Sequence, residues 1–132
     1  MTKYVLGFMF NEKCTDVLLI EKLKPDWQKG KFNGIGGKMG EGELGSSAMA
    51  REFEEETGIE YDDWNYVVTM YGDDWLVEVF TAKSDDVFSA ASMEEEKVNL
   101  IPISELHKYD VIPNLDWLIP MCLDERLPNL KR

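Results

Sequence analysis

Glu52, Glu55 and Glu56 stand at i, i+3 and i+4 of the run Arg51-Glu52-Phe53-Glu54-Glu55-Glu56-Thr57-Gly58-Ile59. That spacing puts three carboxylates on one face of a helix. Their mutual repulsion would destabilise the helix unless something positive sits among them, and a divalent cation is the natural counter-charge. Hard oxygen ligands select Mg²⁺ or Mn²⁺ over Zn²⁺, and Mg²⁺ held by few carboxylates keeps room for substrate phosphates. The segment is entered through Gly34-Ile35-Gly36-Gly37, where the backbone can approach a metal or a phosphate closely. Alone, those glycines read as an ordinary tight turn; beside the Glu-rich helix they favour a cation-dependent site for cleaving a pyrophosphate linkage.

Gly37, Glu43, Arg51, Glu52, Phe53, Glu55, Glu56, Gly58 and Ile59 form a longer pattern. It reads Gly, five residues, Glu, seven residues, then Arg-Glu-apolar-x-Glu-Glu-x-Gly-apolar. Without a gap, it resembles the signature of the Nudix hydrolases. The resemblance implies an α/β/α fold and a Mg²⁺ cofactor, with Mn²⁺ as the alternative. It also implies metal ligation by Glu52, Glu55 and Glu56 together with a carbonyl of Gly36 or Gly37. Arg51 would pair with Glu43 in bidentate fashion and hold the loop against the helix; the plainer reading of that pair is a surface salt bridge of little worth. The lone His107 lies in a distal turn, so a glutamate is the expected general base. Glu52 is the first choice. Glu95, in Met93-Glu94-Glu95-Glu96, is the alternative and a further metal-linked glutamate, although that acidic run reads equally as a solvated turn. Glu54, at the variable place of the pattern, reads as a solvated helix charge.

The substrate's other half is addressed by two flanking segments. Lys31-Phe32-Asn33-Gly34-Ile35-Gly36-Gly37-Lys38 resembles the entry to the signature in the branch that cleaves oxidised purine nucleoside triphosphates, where Trp-Asn-Gly-Phe-Gly-Gly is typical. Phe32 replaces that tryptophan. The resemblance implies that Asn33 offers its amide to a purine edge and that Trp27 or Phe32 stacks on or walls the base, with plain packing as the alternative for the aromatics. Ile112-Pro113-Asn114-Leu115-Asp116-Trp117 resembles the loop closing the base pocket in that branch. Asn114 falls where a base-reading Asp or Asn is expected, and helix N-capping is its other reading. ADP-ribose and dinucleoside polyphosphate hydrolases fit less well: no proline occurs between Ile59 and Pro102, and Trp75-Leu76-Val77-Glu78 occupies the region where the latter carry a tyrosine. A reading of another class is a degenerate domain that only binds nucleotides or a protein partner; the intact carboxylate set argues against it.

A chain of 132 residues with 44% hydrophobic content is the size of one globular domain and can bury a core, so residues 1–132 are expected to form a single domain. A net charge of −12 argues against tracking a nucleic-acid polymer, which needs a basic patch. The partner is then a small nucleotide whose charge is screened by metal. Asp62-Asp63, Asp73-Asp74 and Asp85-Asp86 read as solvated loop charge. Cys14 and Cys122 form no disulfide framework and neither looks catalytic, so a reducing, cytoplasmic setting is expected. No signal-peptide pattern or membrane-length apolar run is present. A monomer or a homodimer is expected.

The elements that must position these groups follow from periodicity. Tyr4 to Phe10 and Val17 to Leu23 read as two strands joined by a turn, Asn65 to Tyr71 and Trp75 to Ala82 as two more, and Lys97 to Ile103 as another. Between Pro25 and Gly45 periodicity is lost, which reads as one long functional loop. Ser46 to Thr57 predicts an amphipathic helix with Ala48, Ala50 and Phe53 on its apolar side and Gly58 as its left-handed stop. Ser104 to His107 reads as a turn or short helix. Leu115 to Leu127 is apolar at helical spacing, with Trp117, Leu118, Met121 and Cys122 as core candidates and Pro120 near its first turn. A strand-rich sheet with at least two helices is an α+β fold, in agreement with the α/β/α sandwich.

Overall fold

The computed structural model describes residues 1–126. In β1 (Thr2–Phe10) apolar side chains alternate across two faces, Val5 and Met9 one way, Phe8 and Phe10 the other, the period-2 signature of a strand buried on both sides. Antiparallel β2 (Asp16–Glu21) places Val17 opposite Phe10. The turn between them is built by Asn11, only 4% exposed. Its Oδ1 accepts the N–H groups of Thr15 and Asp16, each at 2.9 Å.

The remaining strands are β3 (Phe32–Asn33), β4 (Ile35–Lys38), β5 (Asn65–Tyr71), β6 (Trp75–Lys83) and β7 (Lys97–Pro102). They complete a mixed sheet in the order β3-β2-β1-β6-β5, with β4 also on β1 and β7 also on β2. β6 runs parallel to β1 along its whole length. A bulge between Tyr66 and Val68 changes the phase of β5, so Val67 and Val68 both pack in the second core while Tyr66 packs in the first.

The helices α1 (Gly45–Thr57) and α2 (Leu115–Leu123) cover opposite faces. Ala48, Met49 and Phe53 of α1 join Val5, Met9, Leu18, Ile20, Ile35 and Trp64. Leu115, Leu118 and Ile119 of α2 join Phe8, Phe10, Val17, Leu19 and Val79. Each large side chain buried this fully contributes about 1.5–3 kcal/mol. The arrangement is the α/β/α sandwich expected from the sequence.

Four expectations are corrected. The stretch after Gly30 is not one loop, because Phe32–Asn33 and Ile35–Lys38 are strands. A Cβ on Gly36 would overlap the Val5 carbonyl, so the glycine serves close strand pairing with β1. Trp117 is 44% exposed, because the inner face of α2 is taken by Leu115, Leu118 and Ile119. That helix ends at Leu123, and Leu127 lies outside the described residues. The third acidic pair sits in a 3₁₀ turn, Asp85–Ser89, that periodicity did not indicate. Asp62, Asp63, Asp73, Asp74, Asp85 and Asp86 are all exposed, as expected for solvated charge. Among the described residues no helix is long and apolar enough to cross a membrane.

Candidate active site

Helix α1 is fixed at both ends in ways that aim its carboxylates. It stops at Gly58, left-handed at φ 77°, whose N–H bonds the Glu54 carbonyl. Its last carbonyls are then satisfied by an incoming loop: Ala91 N–H reaches Thr57 O at 3.0 Å and Met93 N–H reaches Glu56 O at 3.1 Å. These two bonds deliver the acidic run Glu94-Glu95-Glu96 to the end of α1 that carries Glu56. At the other end, Glu43 ties the preceding loop, accepting Gly40 N–H at 2.8 Å.

Arg51 is the hub. Its Nε and Nη2 donate to the two oxygens of Glu43 at 2.9 Å each, and Nη2 also reaches the Lys38 carbonyl at 3.2 Å. Nη1 donates to Glu52 at 3.2 Å and to Glu55 at 3.3 Å. One guanidinium therefore joins strand β4, the loop after it and two helical carboxylates, which a point-charge lysine cannot do. The hydrogen bonds from Arg51, then that from Gly40, hold the Glu43 carboxyl at about 2.

Glu52 lies over β4, where a Cβ on Gly37 would overlap its carboxylate. The glycine leaves room for the Glu52 carboxylate where it stands. Burial, then the charge of Glu55, raises the Glu52 carboxyl above the ordinary carboxylate range against the pull of Arg51. Glu56 is pushed up to about 7, first by burial and then by the charges of Glu96 and Glu94. Among the described residues three buried side-chain oxygens lack a hydrogen-bond partner, and one of them is Glu56 Oε2; the others are Asn65 Oδ1 and Glu78 Oε1.

The three helical carboxylates do not converge on one point. Arg51 takes Glu52 and Glu55, and among the described residues no three His, Cys, Asp or Glu side chains are gathered closely enough to enclose an ion. The chemistry of the donor set nevertheless fits a hard divalent cation. An orphaned carboxylate oxygen and two carboxyls with raised pKa mark a place short of positive charge. Glu52, Glu55 and Glu56 are the side chains that would hold such an ion.

The acidic run behaves differently from expectation. Glu96, not Glu95, is the member built into the structure: it accepts Lys22 Nζ at 2.9 Å, Leu23 N–H at 2.6 Å and Lys24 N–H at 3.3 Å. Burial opposes ionisation of Glu96, but the Leu23 N–H and the Lys22 ammonium hold its carboxyl below the ordinary value. Glu95 is exposed and is not among the charges that dominate at Glu56. A run of three identical residues carries no sequence signal for which one turns inward.

Of the residues expected to face a base, Phe32 is joined through the backbone to the segment that leads to Asn114. Phe32 N–H bonds Asp110 O at 2.8 Å and Ile112 N–H bonds Phe32 O at 2.9 Å, so the segment leading to Asn114 runs beside β3. Phe32 packs edge-on against Tyr109 with centroids 5.4 Å apart and joins the α2-side core; packing accounts for it. Trp27 is 62% exposed, which packing does not explain. Asn114 precedes α2 without any side-chain bond to its N–H groups, so the capping alternative is not realised, and its Nδ2 lies 3.7 Å from Met70 Sδ. Asn33 is engaged on both sides of its amide, with Gly34 N–H and with Gln28, a partner that sequence reasoning missed. His107 is exposed, and burial pushes the Cys122 thiol up to about 12, so that thiol is no nucleophile at neutral pH.

The family model described as NUDIX domain matches residues 2–120. The chain belongs to this family. As a Nudix hydrolase it acts on diphosphate bonds. A MutT structure from work on Aliivibrio salmonicida and Vibrio cholerae shares the fold with TM-score 0.78 at 23% identity, covering 92% of this chain and 96% of the other. The NUDIX domain of Shewanella oneidensis NrtR, solved with ADP ribose, gives 0.75 at 19%, covering 96% and 88%. A MutT protein of Bacillus halodurans gives 0.73 at 21%, covering 96% and 86%. These Nudix likenesses establish the fold. No curated protein sequence matches the chain.

The raised Glu56 carboxyl has a measurable consequence. Its folded value, about 7, lies above the ordinary 4.5, so between those pH values the folded protein binds a proton that the unfolded chain releases. Stability must fall as pH rises through that window and stay lower above it; Glu52, shifted the same way, adds to the trend. Melting in chelator is expected to give a Tm that declines from pH 5 to pH 8, more steeply in the wild type than in Glu56→Gln. A wild-type decline no steeper than the variant's contradicts the assignment.

Proposed function

We propose that this chain is a Mg²⁺-dependent pyrophosphohydrolase that cleaves purine nucleoside triphosphates, 8-oxo-dGTP or a relative among them, to a monophosphate and pyrophosphate. The observation that carries the reading is the orphaned Oε2 of Glu56, half-buried among the charges of Glu96, Glu94 and Glu52. When bound, the divalent cation supplies neutralisation of the phosphate oxygens and of the leaving group. Glu56, Glu52 and Glu55 would hold it, and the carbonyls of Gly36 and Gly37 lie on β4. Glu52, shielded from water and raised in pKa, takes the proton of the attacking water. Arg51 and Glu43 keep loop and helix in register while charge moves.

The placement of a base near Asn33 rests on distance along the chain. Asn33 lies four residues before Gly37, about 13 Å of extended strand, which leaves room for a sugar between a base at Asn33 and phosphates at Glu52. Asn114, whose side chain does not cap the helix it precedes, and exposed Trp27 complete the base side. Removal of oxidised nucleotides from the precursor pool is the role this chemistry serves.

ADP-ribose is the competing substrate, because the NrtR domain was solved with it. A panel of triphosphates and ADP-ribose under Mg²⁺ is expected to give the best purine deoxynucleoside triphosphate at least about a tenfold advantage in kcat/KM, ~1.4 kcal/mol. Asn33→Ala and Asn114→Ala should each narrow the purine-over-pyrimidine gap by ~1–3 kcal/mol. Better turnover of ADP-ribose contradicts the base-side reading and leaves the catalytic helix standing.

A further inference from the structure

Residues 22–30 leave the sheet between β2 and β3, and only Lys22 and Gln28 among them are not exposed. Both are tied inward. The excursion is closed at its base by Lys22 N–H to Lys31 O and Gly30 N–H to Lys22 O, each 2.8 Å, and Lys22 is held by Glu96. At its far end a 3₁₀ turn, Asp26–Gln28, is pinned by Gln28 N–H to Pro25 O and Lys31 N–H to Gln28 O, both 2.9 Å. This frame fixes the backbone of Gln28 and directs its side chain at Asn33.

The contact is specific in sense. Asn33 Nδ2 donates to Gln28 Oε1 at 3.2 Å, while Asn33 Oδ1 accepts Gly34 N–H at 2.8 Å. A primary amide has two N–H donors and two acceptor lone pairs, so Asn33 keeps one donor and one lone pair for a ligand. With the Gly34 bond alone, the amide plane can pivot about that bond. The second bond removes the pivot and decides which way the remaining donor and acceptor face.

We propose that Gln28 is a specificity-positioning residue: it locks the Asn33 amide in the orientation that reads a purine edge. The inference rests on the reading of Asn33 as a base contact and extends it to a residue that touches Asn33 rather than the phosphates. Glutamate at this position still accepts from Asn33 Nδ2, whereas leucine fills the space and accepts nothing. The two substitutions separate positioning from packing.

The test compares kcat/KM for dGTP and dCTP with Mg²⁺ in wild type, Gln28→Leu, Gln28→Glu, Asn33→Ala and the Gln28→Leu/Asn33→Ala double variant, with Tm as the folding control. Gln28→Leu should lower the dGTP-to-dCTP ratio about fivefold, the effect of one lost hydrogen bond. Gln28→Glu should keep the ratio within about twofold, and the double variant should discriminate no worse than Asn33→Ala, because the residues act in series. If Asn33→Ala lowers the ratio but Gln28→Leu does not, or if Gln28→Leu slows both nucleotides equally, the positioning role is overturned while the base reading survives. Loss in Gln28→Glu as large as in Gln28→Leu also overturns it. An unchanged ratio in Asn33→Ala overturns the base reading and this inference together.

Discussion

Glu56→Gln is expected to lower kcat by about three orders of magnitude, the scale on which a lost electrostatic group acts in a water-poor site. It should also raise the Tm of the metal-free protein by a few degrees. The two effects share one cause. Glu56 is the carboxylate with an unpartnered buried oxygen, placed against the charges of Glu96 and Glu94; neutralising it removes repulsion from the apoprotein and removes the charge that would hold a cation. Activity and thermal melting with and without Mg²⁺ check both. A variant that keeps near-normal kcat at saturating Mg²⁺ contradicts the site assignment.

Arg51→Ala should act with the opposite sign on stability. Its guanidinium donates to Glu43, Glu52, Glu55 and the Lys38 carbonyl, so its loss leaves three carboxylates without their shared counter-charge. The Arg51 side chain is 39% exposed, which screens the charge effect, and a destabilisation on the order of 1–2 kcal/mol follows for the lost charged hydrogen bonds. Activity should drop about 10- to 100-fold, the usual cost of losing a group that orients ligating side chains. Arg51→Lys should recover some stability and little activity, because one ammonium cannot bridge a bidentate Glu43 and two further carboxylates. Metal-free melting therefore moves up in Glu56→Gln and down in Arg51→Ala, although both lose turnover. If both variants move melting the same way, one of the two charge assignments is wrong.

Helix α1 was legible because its signals are local. Carboxylates at i, i+3 and i+4, small apolar residues on the other face and a glycine stop gave Ser46 to Thr57, against Gly45–Thr57 in the structure. The second hairpin was equally plain, Asn65–Tyr71 matching residue for residue, whereas Lys22 and Leu23, which read as strand, lie beyond β2, which ends at Glu21. What escaped depends on partners distant in the chain. Ile35–Lys38 is a strand only because β1 pairs with it and Gly36 lets the backbones meet; its composition reads as a loop. Trp117 reads as core from apolarity at helical spacing, yet positions 115, 118 and 119 already fill the inner stripe. In the site, Arg51 and Glu43 pair as the family resemblance implied. Glu96 and Gln28 were invisible, one hidden in a run of identical residues and the other in an aperiodic segment, since each gains its meaning from a hydrogen bond across the fold.

The most direct test of the triphosphate reading is identification of the products formed from a purine deoxynucleoside triphosphate with Mg²⁺, followed by ³¹P NMR. Attack at an inner phosphorus predicts nucleoside monophosphate and pyrophosphate in equal amounts, with no orthophosphate, and loss of both in Glu56→Gln. Release of orthophosphate and a nucleoside diphosphate, or inertness of every triphosphate alongside cleavage of ADP-ribose to AMP and ribose 5-phosphate, would contradict it.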